Sequence, residues 1–160
     1  MTKPRWPLLA LCLLLAAGCR KDDALEPNDT FESATLLTPG SERLASVFQN
    51  SPDVFVLEAP AGKTLVFKLS SRGGEDCPEF TLLGPGEKTL YEDAEGFCSD
   101  PWKARKKDAS VQASGGRGSG YEFRVGVKDA GKYYLRIQER RQADNMLGYS
   151  WDYALTAQVE

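Results

Sequence analysis

The sequence predicts an all-β protein: an antiparallel β-sandwich of jelly-roll type, entered through a short N-terminal helical turn. Three observations predict it. Apolar and polar residues alternate with a period of two through the C-terminal segments, as with Tyr121, Phe123 and Val125 against Glu122 and Arg124. Short apolar runs are divided by turns such as Gly84-Pro85-Gly86 and Asp129-Ala130-Gly131. Beyond Leu37 no segment sustains a helical period.

In chain order, residues 1–18 read as a signal peptide. Lys3 and Arg5 precede an apolar run from Leu8 to Ala17, well short of the roughly 20 residues that cross a bilayer. Leu15-Ala16-Ala17-Gly18-Cys19 then resembles the lipobox of bacterial lipoproteins, with Ala16 standing where leucine is more usual. Small residues at 17 and 18 leave room for cleavage before Cys19, whose thiol takes diacylglycerol as a thioether. Arg20 follows, not the aspartate that resembles an inner-membrane retention signal in enteric bacteria, which favours the outer membrane of a Gram-negative host. Residues 19–25 form a lipidated tether and residues 26–160 the folded domain.

Asp29 or Thr30 is placed to cap a helical turn over Phe31 to Leu37, with Glu32 in capping-box position and Pro39-Gly40 ending it. Strand candidates follow. Leu44 to Phe48 is short, and Val54 to Leu57 is a continuous apolar run suited to a strand covered on both faces. Leu65, Phe67 and Leu69 alternate with Val66, Lys68 and Ser70. Phe80 to Leu83 and Thr89 to Tyr91 flank a hairpin turn. Tyr121 to Val127, Tyr133 to Ile137 and Trp151 to Val159 carry the cleanest alternation.

Composition narrows the function. The 160 residues are 41% hydrophobic and 10% aromatic, enough for a core. The formal charge of -3 becomes -5 once Lys3 and Arg5 leave with the leader. That balance argues against nucleic acid, whose phosphates want a basic surface. Histidine is absent, which removes Ser-His-Asp and Cys-His machinery and the commonest transition-metal ligand. Of the 4 cysteines, Cys12 departs with the leader and Cys19 is consumed by lipid. Cys77 and Cys98 remain, an even pair in an oxidising compartment, and read as a disulfide in preference to a metal pair.

Several short motifs then line up. Glu26-Pro27-Asn28-Asp29-Thr30 opens the domain, and Asp53-Val54-Phe55 and Ala59-Pro60-Ala61-Gly62 follow. Ala130-Gly131-Lys132-Tyr133-Tyr134-Leu135-Arg136-Ile137 precedes a terminal Tyr153-Ala154-Leu155. In this order they resemble the bacterial pre-peptidase C-terminal domain over nearly all of residues 25–159. The resemblance implies a jelly-roll sandwich, generally non-catalytic and commonly appended to secreted proteases and collagenases. It also implies calcium held at the acidic opening, with Glu26, Asn28, Asp29 and Asp53 as ligands. Ser51 replaces the first aspartate of the family's D-x-D-x-F motif and weakens that oxygen cage. The plainer alternative has Asn28 and Asp29 capping the turn while Asp53 ends a loop.

Other features carry weaker chemistry. The carboxylate pairs Glu75/Asp76 and Glu92/Asp93 suit a hydrolase in principle, but adjacent acids are more often solvated loop residues. Ser114 to Gly120 lacks the lysine of a phosphate loop and reads as a hairpin connection. Lys103, Arg105, Lys106 and Lys107 beside Trp102 suit anionic headgroups or acidic glycans, or simply a solvated edge. The expectation is a membrane-tethered, non-catalytic module for a polysaccharide or protein ligand. A carboxylate hydrolase and an accessory subunit of an envelope complex are the alternatives.

Overall fold

A computed structural model describes residues 23–48, 51–74, 78–93, 104–116, 118–139 and 150–160. The leader, Cys19, Glu75, Asp76, Cys77, Cys98, Trp102 and Lys103 lie outside the described residues. Among the described residues no helix is long and apolar enough to cross a membrane.

The strands are β1 (Thr35–Leu36), β2 (Glu42–Phe48), β3 (Asp53–Ala59), β4 (Thr64–Gly74), β5 (Pro78–Gly84), β6 (Lys88–Asp93), β7 (Ala104–Lys107), β8 (Val111–Gly116), β9 (Gly120–Gly126), β10 (Gly131–Glu139) and β11 (Ser150–Val159). They form a 6-stranded sheet in the order β1-β3-β10-β5-β6-β7 and a 5-stranded sheet in the order β2-β11-β4-β9-β8. Every pairing is antiparallel except β1 with β3. Successive strands cross repeatedly between the sheets, so the fold is the expected sandwich.

The period-two pattern explains the register. On β9, Tyr121, Phe123 and Val125 face inward and sit opposite Leu69, Phe67 and Leu65 of β4. On β10, Leu135 and Ile137 face inward opposite Leu82 and Phe80 of β5. Phe80 is the hub where the sheets meet, with ring centroids 5.0 Å from Tyr121, 5.0 Å from Phe123 and 6.3 Å from Trp151. Edge-to-face pairs of this kind add about 0.5–1.5 kcal/mol each beyond their buried area. The Trp151 indole N–H, buried with the ring, donates to Ser71 Oγ at 3.0 Å. β3 is buried on both faces through Leu57, as its unbroken apolar run implies. Phe31 packs edge-on against Tyr134 at 5.4 Å, over the outside of the neighbouring strand β10.

Four expectations change. Residues 31–37 do not form a helical turn: Thr30 and Ser33 bond reciprocally through their hydroxyls, and the chain then extends into β1. The cap is real, with Ser33 answering it through its hydroxyl and the Glu32 carboxylate also bonded to the Thr30 side chain. Extension wins because Leu37 gains a ladder bond, its N–H donating to Val56 O at 2.9 Å, and a buried site. Residues 23–25, expected in the tether, are docked: Leu25 packs on the core, and Asp23 Oδ2 accepts the Ser46 N–H at 2.7 Å. Asp93 is no solvated loop residue, because it ends β6 buried. The basic run and the Ser/Gly-rich stretch contain the strands β7 and β8, each at the far edge of its sheet. Edge strands need only one neighbour and tolerate charge, so they lack the apolar alternation that reveals central strands.

Candidate functional site

The N-terminal segment crosses the open side of the sandwich and seals it with oxygen chemistry. Asp53, the first residue of β3, occupies an inward position in line with Phe55 and Leu57, and is 0% exposed. A carboxylate there needs partners, since an unpaired buried charge is costly. Tyr153 of β11 donates its hydroxyl to Asp53 Oδ2 at 2.5 Å. The buried Asn28 side chain reaches Asp53 Oδ1 at 3.2 Å and Glu26 Oε2 at 3.3 Å. The Asn28 main chain adds two bonds: its N–H donates to Glu26 Oε2 at 3.0 Å, and its carbonyl accepts from Val54 N at 2.8 Å. The Ser51 hydroxyl lies between Glu26 Oε1 at 3.0 Å and Asp29 Oδ1 at 2.9 Å.

Of the residues expected to hold calcium, Glu26, Asn28, Asp29 and Asp53 therefore converge, while Ser51 bridges two of them. Burial drives the Asp53 carboxyl up to about 7, with the Asp23 and Glu26 charges adding to it and the Tyr153 and Asn28 hydrogen bonds opposing it. Tyr153 is pushed well above its ordinary value by burial and then by Asp53. The cluster gathers the carboxylates of Glu26, Asp29 and Asp53 around Asn28 and Ser51.

Two arrangements satisfy it. With its amide nitrogen inward, Asn28 donates to both carboxylates and the network closes on itself. With its amide oxygen inward, Asn28 joins Asp53, Glu26, Asp29 and Ser51 in an all-oxygen cluster of the kind a hard cation takes. Among the described residues, no three Asp, Glu, Cys or His side chains come together as a metal-holding group. Such a cage would therefore lean on the Asn28 and Ser51 oxygens. The donor set fits calcium in kind, with fewer charges than a strong site carries.

Sequence reasoning missed Tyr153, Asp23 and Ser46 here. A tyrosine in a buried alternation carried the signal, because its hydroxyl must find a partner inside. The basic residues Arg105, Lys106 and Lys107 lie apart from this cluster, exposed on β7. Arg105 approaches Glu92 at 3.6 Å, with the Arg105 side chain largely in water and Glu92 partly covered. Glu92 and Asp93 point to opposite faces of β6, so they do not form a pair across a substrate.

Asp93 is the second buried acid. Its Oδ2 accepts the Phe80 N–H at 2.6 Å, while its Oδ1 and the Tyr91 hydroxyl are buried without a well-formed bond. Burial lifts it to about 7, against the Tyr91 hydroxyl and the Phe80 amide and with help from the Glu79 and Glu92 charges.

No protein-family model matches the chain. No curated protein matches it in sequence either. Solved structures of this fold include a pre-peptidase C-terminal domain. That domain, from a Bacillus anthracis collagenase, is 14% identical, with 78% of this chain and 94% of that one covered and a TM-score of 0.46. A periplasmic inhibitor of g-type lysozyme from Aeromonas hydrophila is 18% identical, covering 79% of this chain and 99% of that one at a TM-score of 0.46. Its counterpart from Salmonella Typhimurium is 14% identical, covering 79% and 98% at 0.45. These likenesses concern the arrangement of strands and not what the chain binds.

Proposed function

We propose that the chain is a non-catalytic module of the cell envelope, tethered by lipid on Cys19, which offers the basic edge of β7 to an acidic polysaccharide or protein. The observation that carries this reading is how the buried acids are used. Asp53 and Asp93 are buried and tied to Tyr153, Asn28 and the Phe80 amide, held as structural groups. A cavity beside β6 and β9 is about 40 Å³, water-sized, and lined by Leu90, Asp108, Gly126 and Tyr133 among others. Arg105, Lys106 and Lys107 stand exposed and ready for anions.

Calcium belongs to the same proposal as a clamp. Glu26, Asn28, Asp29, Ser51 and Asp53 would hold it, and its charge would offset the clustered acids and fix the N-terminal segment against β3. The disulfide belongs to it as well. Pro78 follows Cys77, and β5 and β6 are paired at Thr81 with Glu92, so the strands next to the two cysteines run side by side. The native protein would then show no free thiol at Cys77 or Cys98.

The test is capture from an envelope extract by the mature protein, compared with the variant Arg105→Ser, Lys106→Ser, Lys107→Ser. A ligand held by the first and released by the second supports the reading. Turnover of that ligand by the unmodified protein overturns it in favour of a hydrolase.

A further inference from the structure

We infer that the side of the sandwich formed by β1 and β2 faces the membrane, so that the basic edge of β7 points away from it. The inference rests on the lipid anchor proposed above and deepens it. The chain is pinned at Asp23, whose carboxylate takes the outward amide of Ser46 on β2, and Leu25 is packed on the core just behind. Only Arg20, Lys21 and Asp22 separate Asp23 from Cys19. Fully extended, those links reach about 14 Å, less than the breadth of either sheet, since strands lie about 4.8 Å apart. The anchor therefore draws down the side of the domain where Asp23 sits.

That side has the surface for it. β1 and β2 are the outermost strands of the two sheets, and the short turn through Pro39-Gly40 joins them. The exposed large hydrophobic residues among those described are Leu36 at 63% and Leu44 at 55%, one on each of these strands. Their inward neighbours Leu37 and Ala45 are buried, so the two leucines flank the edge from the outer faces of the two sheets. Arg72, Ser46 and Asp152 line a shallow groove beside Leu44 and Asp23, the two carboxylates engaged by Ser46, and Arg20 and Lys21 precede it in the tether. Exposed apolar tips with Arg72 beside them and Arg20 and Lys21 close in sequence suit the headgroup boundary of a bilayer. The outer face of the β11-β4-β9 sheet is a poorer choice. It carries a ladder of ion pairs from Lys68 to Glu122, on to Arg124 and then to Glu160.

The orientation decides between two uses of the basic run. On the opposite edge, Arg105, Lys106 and Lys107 are turned from the headgroups of the chain's own membrane and toward whatever lies beyond it.

Hydrogen exchange on the lipidated mature protein in phosphatidylethanolamine and phosphatidylglycerol vesicles tests this, with Cys19→Ser in the same vesicles as the reference. Exchange should slow over residues 36–47 in the lipidated protein alone, and residues 104–107 should be unaffected. Slowing at 104–107 or 111–116, or no slowing, in protein whose mass carries the acyl chains overturns the orientation and leaves the anchor standing. Absence of acyl mass on Cys19 from native membranes overturns the anchor and the orientation with it.

Discussion

Replacing Asp93 by Asn should make the domain more stable above neutral pH and change it little in mild acid. The buried Asp93 carboxyl titrates at about 7 in the folded chain, against an ordinary value of 3.8. The folded state therefore holds a proton that the unfolded chain releases earlier. The stabilisation is complete below the ordinary carboxylate value and is lost as pH rises through about 7. At 1.36 kcal/mol per pKa unit the full difference is about 4 kcal/mol, a ceiling for a group at the rim of the core. About 2–2.5 kcal/mol is the expected loss for the native protein between pH 5 and pH 8 from this one group, the rest being lost below pH 5. Asparagine cannot ionise. Its carbonyl keeps the Phe80 N–H, and its amide keeps a neutral polar partner beside the Tyr91 hydroxyl. Urea melts of both proteins at pH 5, 6, 7 and 8, with chelator throughout, isolate the contribution, because Asp53 titrates in both. Parallel curves would refute the assignment of a raised value to Asp93.

Three further outcomes are expected from the packing and the acid cluster. Millimolar calcium should raise the melting temperature over a chelator control. The gain is about 2.7 kcal/mol at a hundredfold excess over Kd, and Ser51→Asp, which adds a carboxylate, should enlarge it; identical melts in calcium and chelator remove the clamp. Phe80→Ala deletes the ring where both sheets meet and should cost about 3–5 kcal/mol, most of a marginal domain's stability, in denaturant midpoints. Gly120→Ala should be destabilising by more than the about 1–3 kcal/mol of a strained backbone. At φ +77° its new methyl would sit 2.5 Å from the Leu69 carbonyl oxygen, whereas Gly118→Ala at the exposed turn meets nothing.

The central strands were legible because their physics is local. Tyr121, Phe123, Leu135, Ile137, Trp151 and Leu155 each alternate with a polar neighbour, and each is buried. The borders were not, since the Arg105-Lys106-Lys107 and Ser114-Gly115-Gly116 segments serve as edge strands with little to bury. β1 carries the signals of a helix because capping residues announce a turn but leave open the conformation after it. Within the acid cluster, the motif resemblance pointed to Glu26, Asn28, Asp29 and Asp53, but alternation placed Tyr153 only in the core. Which hydroxyl meets which carboxylate depends on residues 100 positions apart, a relation no local pattern encodes.

The bond from Ser46 to Asp23 has a practical side. A fragment cut to begin at Glu26, where the recognisable motifs start, would lose the carboxylate that occupies an outward amide of a border strand. The bared N–H would be free to recruit the border strand of a second molecule. Dimers or fibres of such a shortened fragment would report the missing cap, and not how the intact protein assembles.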